Sequence, residues 1–304
     1  MQTPWGDIPV WDAHIHFFSH RFFASLASQS GRRLEGLNEF LAWELPPEDP
    51  KILAEGWVRE LDRHGVARAS LIASVPGDED SVATAAAAFP ERFSGYFLFD
   101  PLAPDAGPRL EAAFRSYGLR GVCLFPAMHR YSVHDPRVRY VFEAAAAKAG
   151  TIVFIHSGVL TVGVRKKLGI PSRFDMRFSN PIDIHAIALD FPAVPFVVPH
   201  FGAGYFREAL MLCDLCPNVY LDTSSSNSWM RYQPEELDLK AVFRRALAVV
   251  GPERLLFGSD SSFFPRGWNA EIARVQIEAL RALGVSVQEV RLIFGGNLER
   301  LLCG

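Results

Sequence analysis

The chain has 304 residues, of which 49% are hydrophobic, and its formal net charge is −3. This length and apolar content are typical of an α/β barrel that folds as one unit, so one domain over residues 1–304 is expected. The charge is near neutral and no basic stripe is present, which argues against nucleic-acid binding. The sequence contains neither a run of about 18 apolar residues nor a signal-like N-terminus, so we expect a cytoplasmic protein that does not associate with membranes.

Eight short apolar segments follow one another along the chain, separated by stretches with helical spacing. In order they are PVWDAHIH (9–16), ARASLIASV (67–75), FSGYFLFDP (93–101), LRGVCLFP (119–126), AGTIVFIHSG (149–158), VPFVVPHFG (194–202), NVYLDTSSS (218–226) and RLLFGSDSS (254–262). Apolar strands that alternate with helices indicate a parallel sheet covered by helices. Eight such units predict a (β/α)8 TIM barrel, regular or distorted.

Two connections between these segments are long. Ser19 to Glu55 follows the first segment, and Val159 to Pro181 follows the fifth. Both come after the carboxyl ends of predicted strands, which form the active-site face of such barrels. We therefore expect these two loops to border the site.

Polar residues with metal-binding chemistry stand at the ends of four segments. They are His14 and His16 in the first, His156 in the fifth, His200 in the sixth and Asp260 in the eighth. The carboxyl ends of barrel strands converge on one mouth, and residues two apart on a strand share a face. A single histidine of this kind is usually a polar residue with its hydrogen bonds satisfied. Four histidines and an aspartate in this order predict a site for a divalent cation. Imidazole and carboxylate ligands suit Zn²⁺, and also Mn²⁺ or Fe²⁺.

The cysteines do not suggest a second metal site. Cys213 and Cys216 form a CDLC pair, but no second pair or nearby histidine completes four ligands. The surrounding REALMLCDLCPN has the pattern of an amphipathic helix end, so a structural role is expected. Four cysteines in this length also do not make a disulfide scaffold.

Several motifs together resemble the amidohydrolase superfamily, within the group related to amidohydrolase family 2. The motifs are DAHIH, FIHSG, VPHFGAG, NVYLDTS, LLFGSD and GGNLERLL, and they cover nearly the whole chain. That group includes aminocarboxymuconate-semialdehyde decarboxylase and the resorcylate decarboxylases, along with hydrolases. The motifs are specific for the superfamily and weak for any one reaction.

The resemblance implies a role for each polar residue at the strand ends. His14, His16, His156 and Asp260 would be metal ligands, and His200 would handle the metal-bound water or the substrate. Binuclear members carry a carboxylated lysine or a glutamate at the end of strand 4, where this chain has Leu124, Phe125 and Pro126. One divalent metal ion is therefore expected, with Zn²⁺ as the first choice.

The same centre fits two reactions. Bound Zn²⁺ lowers the pKa of water from about 16 to about 7, and His200 is suited to act as a general base. Asp260 could bind the metal and also accept a proton. As a hydrolase, the protein would attack an ester, lactone or amide; as a nonoxidative decarboxylase (carboxy-lyase), it would protonate an aromatic or unsaturated carboxylate before CO₂ leaves. A barrel that has lost activity and serves in binding is a third hypothesis, and the loss of a ligand would favour it.

The substrate side is predicted from loop residues. Five loop arginines could bind a carboxylate through their paired N–H groups: Arg130, Arg165, Arg173, Arg177 and Arg266. Arg266 is the first choice because it follows Asp260 closely. An apolar wall could come from Phe17, Phe18, Trp229, Phe263 and Trp268. His129 is a further candidate contact, and the expected substrate is a small carboxylate.

Two expectations concern support and assembly. Asp12 shares the inward face with His14 and His16 but lies one layer deeper. It could hydrogen-bond a metal ligand or be a buried carboxylate held by backbone N–H groups, and the sequence leaves both open. The resemblance implies a homodimer as one assembly, since members of the group often form dimers.

Overall fold

The computed structural model describes residues 1–224 and 227–303. In this part of the chain, eight parallel strands form one sheet in which the strands follow sequence order. They are β1 (Val10–Phe17), β2 (Val66–Ala73), β3 (Phe93–Phe99), β4 (Gly121–Leu124), β5 (Ile152–Ile155), β6 (Phe196–Val198), β7 (Val219–Asp222) and β8 (Leu255–Leu256). Gln2–Thr3 and Gly6–Asp7 form a short antiparallel pair before β1.

Backbone hydrogen bonds join β1 to the segment that follows β8. Ala13 N–H donates to Phe257 O at 2.8 Å, and Asp260 N–H donates to His14 O at 3.0 Å. Further along, His16 N–H donates to Ser261 O at 2.8 Å. These bonds bring the first and last strands together, so the predicted (β/α)8 barrel is confirmed. All eight predicted strand segments contain a strand, each shorter than or shifted from its apolar run.

Helices surround the barrel and fill its longer loops. The α-helices are α1 (His20–Ser30), α2 (Leu34–Leu41), α3 (Pro50–His64), α4 (Glu79–Ala88), α5 (Ala106–Glu111), α6 (Pro126–His129), α7 (Arg139–Ala146), α8 (Gly163–Lys167), α9 (His185–Asp190), α10 (Phe206–Leu215), α11 (Leu239–Val249), α12 (Ala270–Ala282), α13 (Val287–Arg291) and α14 (Asn297–Cys303). Short 3₁₀ or π segments are Ala112–Ser116, Pro136–Val138, Met176–Phe178, Pro181–Ile184, His200–Gly202, Asn227–Tyr232, Pro252–Arg254 and Leu292–Gly296. None of the helices in the described residues is long and apolar enough to cross a membrane.

The long connection after β1 is mostly helical. It holds α1 and α2, and α3 begins at Pro50, before the expected end of the connection at Glu55. Asp49 caps α3 by accepting a hydrogen bond from Lys51 N–H at 2.8 Å. Proline at the first position of a helix has no N–H that would go unpaired, so the DP sequence starts a helix here.

Strand residues alternate between two apolar layers. One set, including Leu71, Phe97 and Val153, packs against the surrounding helices. The other set fills the barrel interior and includes Ile72, Leu98 and Phe154. Packed side chains therefore close the interior, and the polar residues lie at its carboxyl end.

A third apolar cluster lies outside the barrel, and we call it the cap cluster. It consists of Phe22, Phe23, Leu26, Ala27, Leu37, Leu41, Val164, Leu168 and Ile170. These residues come from the connections after β1 and β5, which therefore pack against each other. Arg165 joins the two connections by donating from Nη1 to Gln29 Oε1 at 2.6 Å.

The cap cluster makes a stability prediction. Leu37 is buried in the cap cluster, whereas Leu71 is buried between the sheet and its helices. A buried leucine-to-alanine change typically costs about 2–5 kcal/mol. Because the cap cluster lies outside the barrel, we expect Leu37→Ala to speed proteolysis within residues 20–42 with little change in the urea midpoint of unfolding. We expect Leu71→Ala to lower that midpoint. Equal losses in the urea midpoint would contradict separate packing of the cap.

Candidate active site

Three side chains at the junction of β1 and β8 converge on one point. We call His14, His16 and Asp260 the triad. The Nε2 atoms of the two histidines are 3.3 Å apart. Asp260 Oδ1 lies 3.4 Å from His16 Nε2 and 3.8 Å from His14 Nε2. Among the described residues, the triad is the group whose ligand atoms lie close enough together to hold a metal ion.

Neighbouring groups fix which nitrogen of each ring carries the proton. Ser74 Oγ donates to Ile72 O at 2.9 Å, so it accepts a hydrogen bond from His16 Nδ1 at 2.8 Å. His14 Nδ1 donates to Asp222 Oδ2 at 2.6 Å. Each Nδ1 therefore holds a proton, and Nε2 is the ring nitrogen that faces Asp260. Burial lowers the pKa of His16. Burial also lowers the pKa of His14, but the charge of Asp222 and its hydrogen bond raise that pKa overall, so the Nε2 of His14 holds a proton that a metal cation would replace.

This arrangement fits a divalent cation. Two ring nitrogens and a carboxylate oxygen face each other at these distances, and a positive charge among them, either a proton or a metal cation, offsets the repulsion of their lone pairs. Burial raises the pKa of the Asp260 carboxyl, but the neighbouring His16 and His14 lower it overall. The carboxylate is thus ionised, and the ligand types suit Zn²⁺, Mn²⁺ or Fe²⁺.

Asp222 contacts a triad histidine and was not singled out by the sequence analysis. It ends β7, is fully buried, and also accepts from Ser224 N–H at 2.5 Å. Burial raises the pKa of Asp222, but the charge of His14 and its hydrogen bond lower that pKa overall. Asp222 fixes the tautomer of His14, and its place at a strand end within NVYLDTS was a signal that could have identified it.

Asp12 holds the backbone at the junction of β1 and β8. Its Oδ1 accepts from His14 N–H at 2.9 Å and from Ser259 N–H at 3.1 Å, and its Oδ2 accepts from Trp268 Nε1–H at 2.8 Å. Burial outweighs these hydrogen bonds and raises the pKa of Asp12 to about 6. Of the two hypotheses for Asp12, the backbone-held buried carboxylate matches its contacts, since none of them is with a ligand ring.

His156 and His200 lie beside the triad. The His200 ring centroid is 5.1 Å from that of His14 and 5.5 Å from that of His156. Burial, with His200 and His14 nearby, holds the pKa of His156 well below its usual range, so its ring is neutral. The buried Nδ1 of His156 has no hydrogen-bond partner among the described residues. His156 lies outside the close triad, but its neutral ring is suited to metal binding.

A cavity of about 680 Å³ brings the predicted strand-end residues together. All five of them line it: His14, His16, His156, His200 and Asp260. Phe18 and Trp229 form part of the apolar wall of the cavity. Trp43, which the sequence analysis did not identify, is also part of this wall. Arg266 also lines the cavity, donating to Asp260 O at 3.2 Å and to Ser262 Oγ at 2.8 Å.

Five expected substrate contacts do not line this cavity. Phe17 follows His16 directly, so it points to the opposite face of β1 and packs in the outer core. Trp268 is buried beneath the site, where its indole N–H binds Asp12. His129 ends α6, and burial lowers its pKa. Phe263 belongs to a neighbouring groove, and Arg177 pairs with Asp175 at 2.6 Å.

Two other stretches from the sequence analysis do not contribute to the cavity as described. Ser225 and Ser226, at the end of the seventh predicted segment, lie outside the described residues. Cys213 and Cys216 are buried at the end of α10, and their carbonyls accept from Arg254 Nη1 at 2.6 and 3.1 Å. These contacts give the CDLC stretch a structural place away from the cavity.

Comparison with known proteins gives one family match over nearly the whole chain. Residues 11–303 match the family model described as Amidohydrolase. A curated relative, protein fluG of Emericella nidulans, is 34% identical over 87 residues. That alignment covers 29% of this chain and 10% of the fungal protein, so the chain spans a small part of that relative.

Solved structures of similar fold include decarboxylases and a hydrolase. The 5-carboxyvanillate decarboxylase of Sphingomonas paucimobilis has 17% identity and a TM-score of 0.66 over 98% of this chain and 99% of that one. The enzyme of the same name from Novosphingobium aromaticivorans, with bound manganese and a nitrobenzoic acid, has 14% identity and a TM-score of 0.63 over 98% and 97%. A probable 2-pyrone-4,6-dicarboxylic acid hydrolase of Acinetobacter baumannii, with citric acid bound, has 14% identity and a TM-score of 0.61 over 98% and 100%.

The Asp222–His14 hydrogen bond makes a prediction for metal binding. In Asp222→Asn, the amide can donate to His14 Nδ1 and so favour the tautomer whose Nε2 carries the proton. We expect this variant to bind Zn²⁺ about 10–100-fold more weakly, as measured by competition with a chromogenic chelator. Asp78→Asn is the control, because Asp78 is also buried but accepts from Ser19 and Ser81. Unchanged affinity in Asp222→Asn would show that Asp222 does not orient the ring.

Proposed function

Because the chain belongs to the amidohydrolase family, we propose that it is a metal-dependent hydrolase. It cleaves an ester, lactone or amide bond of a small carboxylate-bearing substrate with an activated water. The observation that carries this proposal is the convergence of four histidines and Asp260 on the floor of one cavity. Such a constellation offers metal ligands, a base and room for a substrate within a single site.

His14, His16, His156 and Asp260 would hold one divalent ion, with Zn²⁺ as the first choice and Mn²⁺ or Fe²⁺ as alternatives. When bound, such an ion lowers the pKa of water and polarises a carbonyl oxygen. The residues beneath the site keep the ligands ready for it. Asp222 and Ser74 hold the ring tautomers, and Asp12 fixes the backbone between His14 and Ser259.

His200 is the proposed general base. Its Nδ1 lies 2.9 Å from Ser224 O, a carbonyl that can only accept, so Nδ1 carries the proton. Nε2 is then free to take a proton from the attacking water and return it to the leaving group. Asp260 is a second proton acceptor in this proposal, in addition to its role as a ligand.

The cavity supports a small anionic substrate. Arg266 reaches Asp260 O and Ser262 Oγ with one nitrogen, and no carboxylate among the described residues forms an ion pair with it. Its remaining N–H groups are suited to hold a substrate carboxylate beside the triad. Phe18, Trp43 and Trp229 offer flat apolar surface for a ring.

A second candidate is nonoxidative decarboxylation at the same site. It is favoured by the aromatic wall and by the fold shared with two 5-carboxyvanillate decarboxylases. In this reaction a protonated group, with His200 as the candidate, donates a proton to a ring or alkene carbon. The bond to the carboxyl carbon then breaks, and its electron pair returns to the ring as CO₂ leaves.

The base assignment is tested by substitution of His200. A panel of lactones, esters, amides and carboxylated aromatics is first screened with the zinc-loaded protein. On any turned-over compound, we expect His200→Ala to lower kcat about 10²–10⁴-fold, because proton transfer is lost. Zinc content, measured by mass spectrometry, should stay near one ion per chain. Near-normal turnover in the variant would refute His200 as the base.

Product analysis separates the two candidate reactions. Hydrolysis consumes water and releases two products or an opened lactone, whereas decarboxylation releases CO₂. We expect turnover in H₂¹⁸O to place the label in the product carboxylate. Release of CO₂ with no label gained would establish the lyase instead. A protein that binds no zinc and turns over none of the panel would favour a binding role for the barrel.

A further inference from the structure

The cavity wall carries an excess of positive charge. Five arginines line it, and Asp260 is the acidic residue among its described lining. The five are Arg130, Arg165, Arg173, Arg231 and Arg266. Elsewhere, arginines pair closely with carboxylates; Arg137 reaches Asp135 at 2.6 Å and Arg274 reaches Glu278 at 2.5 Å. Within the described residues, none of the five cavity arginines forms such an ion pair.

Three of the five cavity arginines have other contacts. Arg165 donates to Gln29 Oε1 and Pro171 O and so holds the two long connections together. Arg231 donates to Tyr232 OH at 2.7 Å, and Arg266 contacts Asp260 O. For Arg130 and Arg173 the described residues offer no side-chain hydrogen bond. Both residues are exposed at the cavity mouth, so their donors are open to solvent and to an incoming ligand.

The backbone at Arg130 supports a role for its side chain. Arg130 follows α6 as its C-cap residue and has the left-handed conformation, with φ of 61°. Glycine or asparagine adopts that conformation at lower cost, so an arginine there is kept at the expense of some backbone strain. Arg130 is also near enough to Asp175 for its charge to lower the pKa of that carboxyl, but Asp175 already accepts three side-chain hydrogen bonds from Arg177.

Topology places the two arginines across the mouth from the triad. Arg130 follows β4 and Arg173 follows β5, whereas the triad belongs to β1 and the segment after β8. In a closed barrel of eight strands in sequence order, β4 and β5 lie opposite β8 and β1. A ligand that touches both groups must therefore span the cavity.

We propose that the substrate is a dicarboxylate that spans the cavity, with its reacting end at the triad and a second carboxylate bound by Arg130 and Arg173. This inference rests on the proposed function for the position of the reacting end, and it adds the number and placement of the anionic groups. The apolar side chains of Phe18, Met128 and Trp229 line the same cavity. A flat or cyclic middle portion fits them.

Ligand binding tests the proposal without turnover. Affinities of the zinc-loaded protein for benzoate and for benzene-1,4-dicarboxylate are measured by calorimetry. We expect the dicarboxylate to bind at least about tenfold more tightly, because its second carboxylate gains charge-assisted hydrogen bonds. In the double variant Arg130→Gln/Arg173→Gln, the two affinities should come within about twofold of each other, with benzoate binding unchanged.

Arg137→Gln is the matched control, because Arg137 lies on the same connection as Arg130 but pairs with Asp135 outside the cavity. This variant should keep the full preference for the dicarboxylate, and the single variants Arg130→Gln and Arg173→Gln should each lose part of it. Equal affinities in the wild type, no binding of either compound, or a preference that survives the double variant would overturn the proposal.

One further arm identifies the anion. If 4-carboxyphenyl phosphate binds more tightly than the dicarboxylate, the far anion is a phosphate and the carboxylate assignment is wrong. Failure of this binding proposal can also be told apart from failure of the proposed function. A protein that shows the dicarboxylate preference but no hydrolysis would retain this binding site while losing the hydrolase proposal.

Discussion

Closure of the barrel is the constraint on which the site depends. His14 and Asp260 belong to the first and last strands, and they meet only because Asp260 N–H donates to His14 O across the closing seam. Asp12 stabilises the same seam from below by accepting hydrogen bonds from both sides of it. An open sheet would leave the triad at two separate edges. The cation site is therefore a product of tertiary closure, and any change that loosens the seam acts directly on the triad.

The site also shows how polar groups are tolerated above a packed apolar interior. His14 lies edge-on to Phe154, with ring centroids 5.1 Å apart, and is nearly fully buried. Such burial is costly unless each polar atom has a partner. Asp222 and Ser74 provide partners for the Nδ1 atoms, which leaves both Nε2 atoms for a cation. The pairing that makes burial tolerable is thus the same pairing that sets the ligands' chemistry.

The sequence was informative wherever a period-two strand ended at the barrel mouth. That rule found all five strand-end residues, and it could equally have found Asp222 at the end of β7. The same rule places Phe17 on the opposite face of β1 from His16, so the expectation that Phe17 lines the cavity was inconsistent with the rule. Trp43 and the cap cluster were not predicted, because α1 and α2 are positioned by contacts with the distant connection after β5. Trp268 turned inward for a similar reason, since its indole satisfies Asp12.

In the proposed function, chemistry and selectivity are carried by different parts of the chain. The triad, His156 and His200 sit at the ends of strands or directly after them, where the barrel's hydrogen bonds fix their positions. Arg130, Arg173 and the aromatic wall stand on connections, and the connections after β1 and β5 pack together in the cap cluster. Loops can change without disturbing the strand ends, which is how one barrel serves several reactions. In the proposed function, the barrel floor thus sets the reaction class, and the connections after β1, β4, β5, β7 and β8 set the substrate.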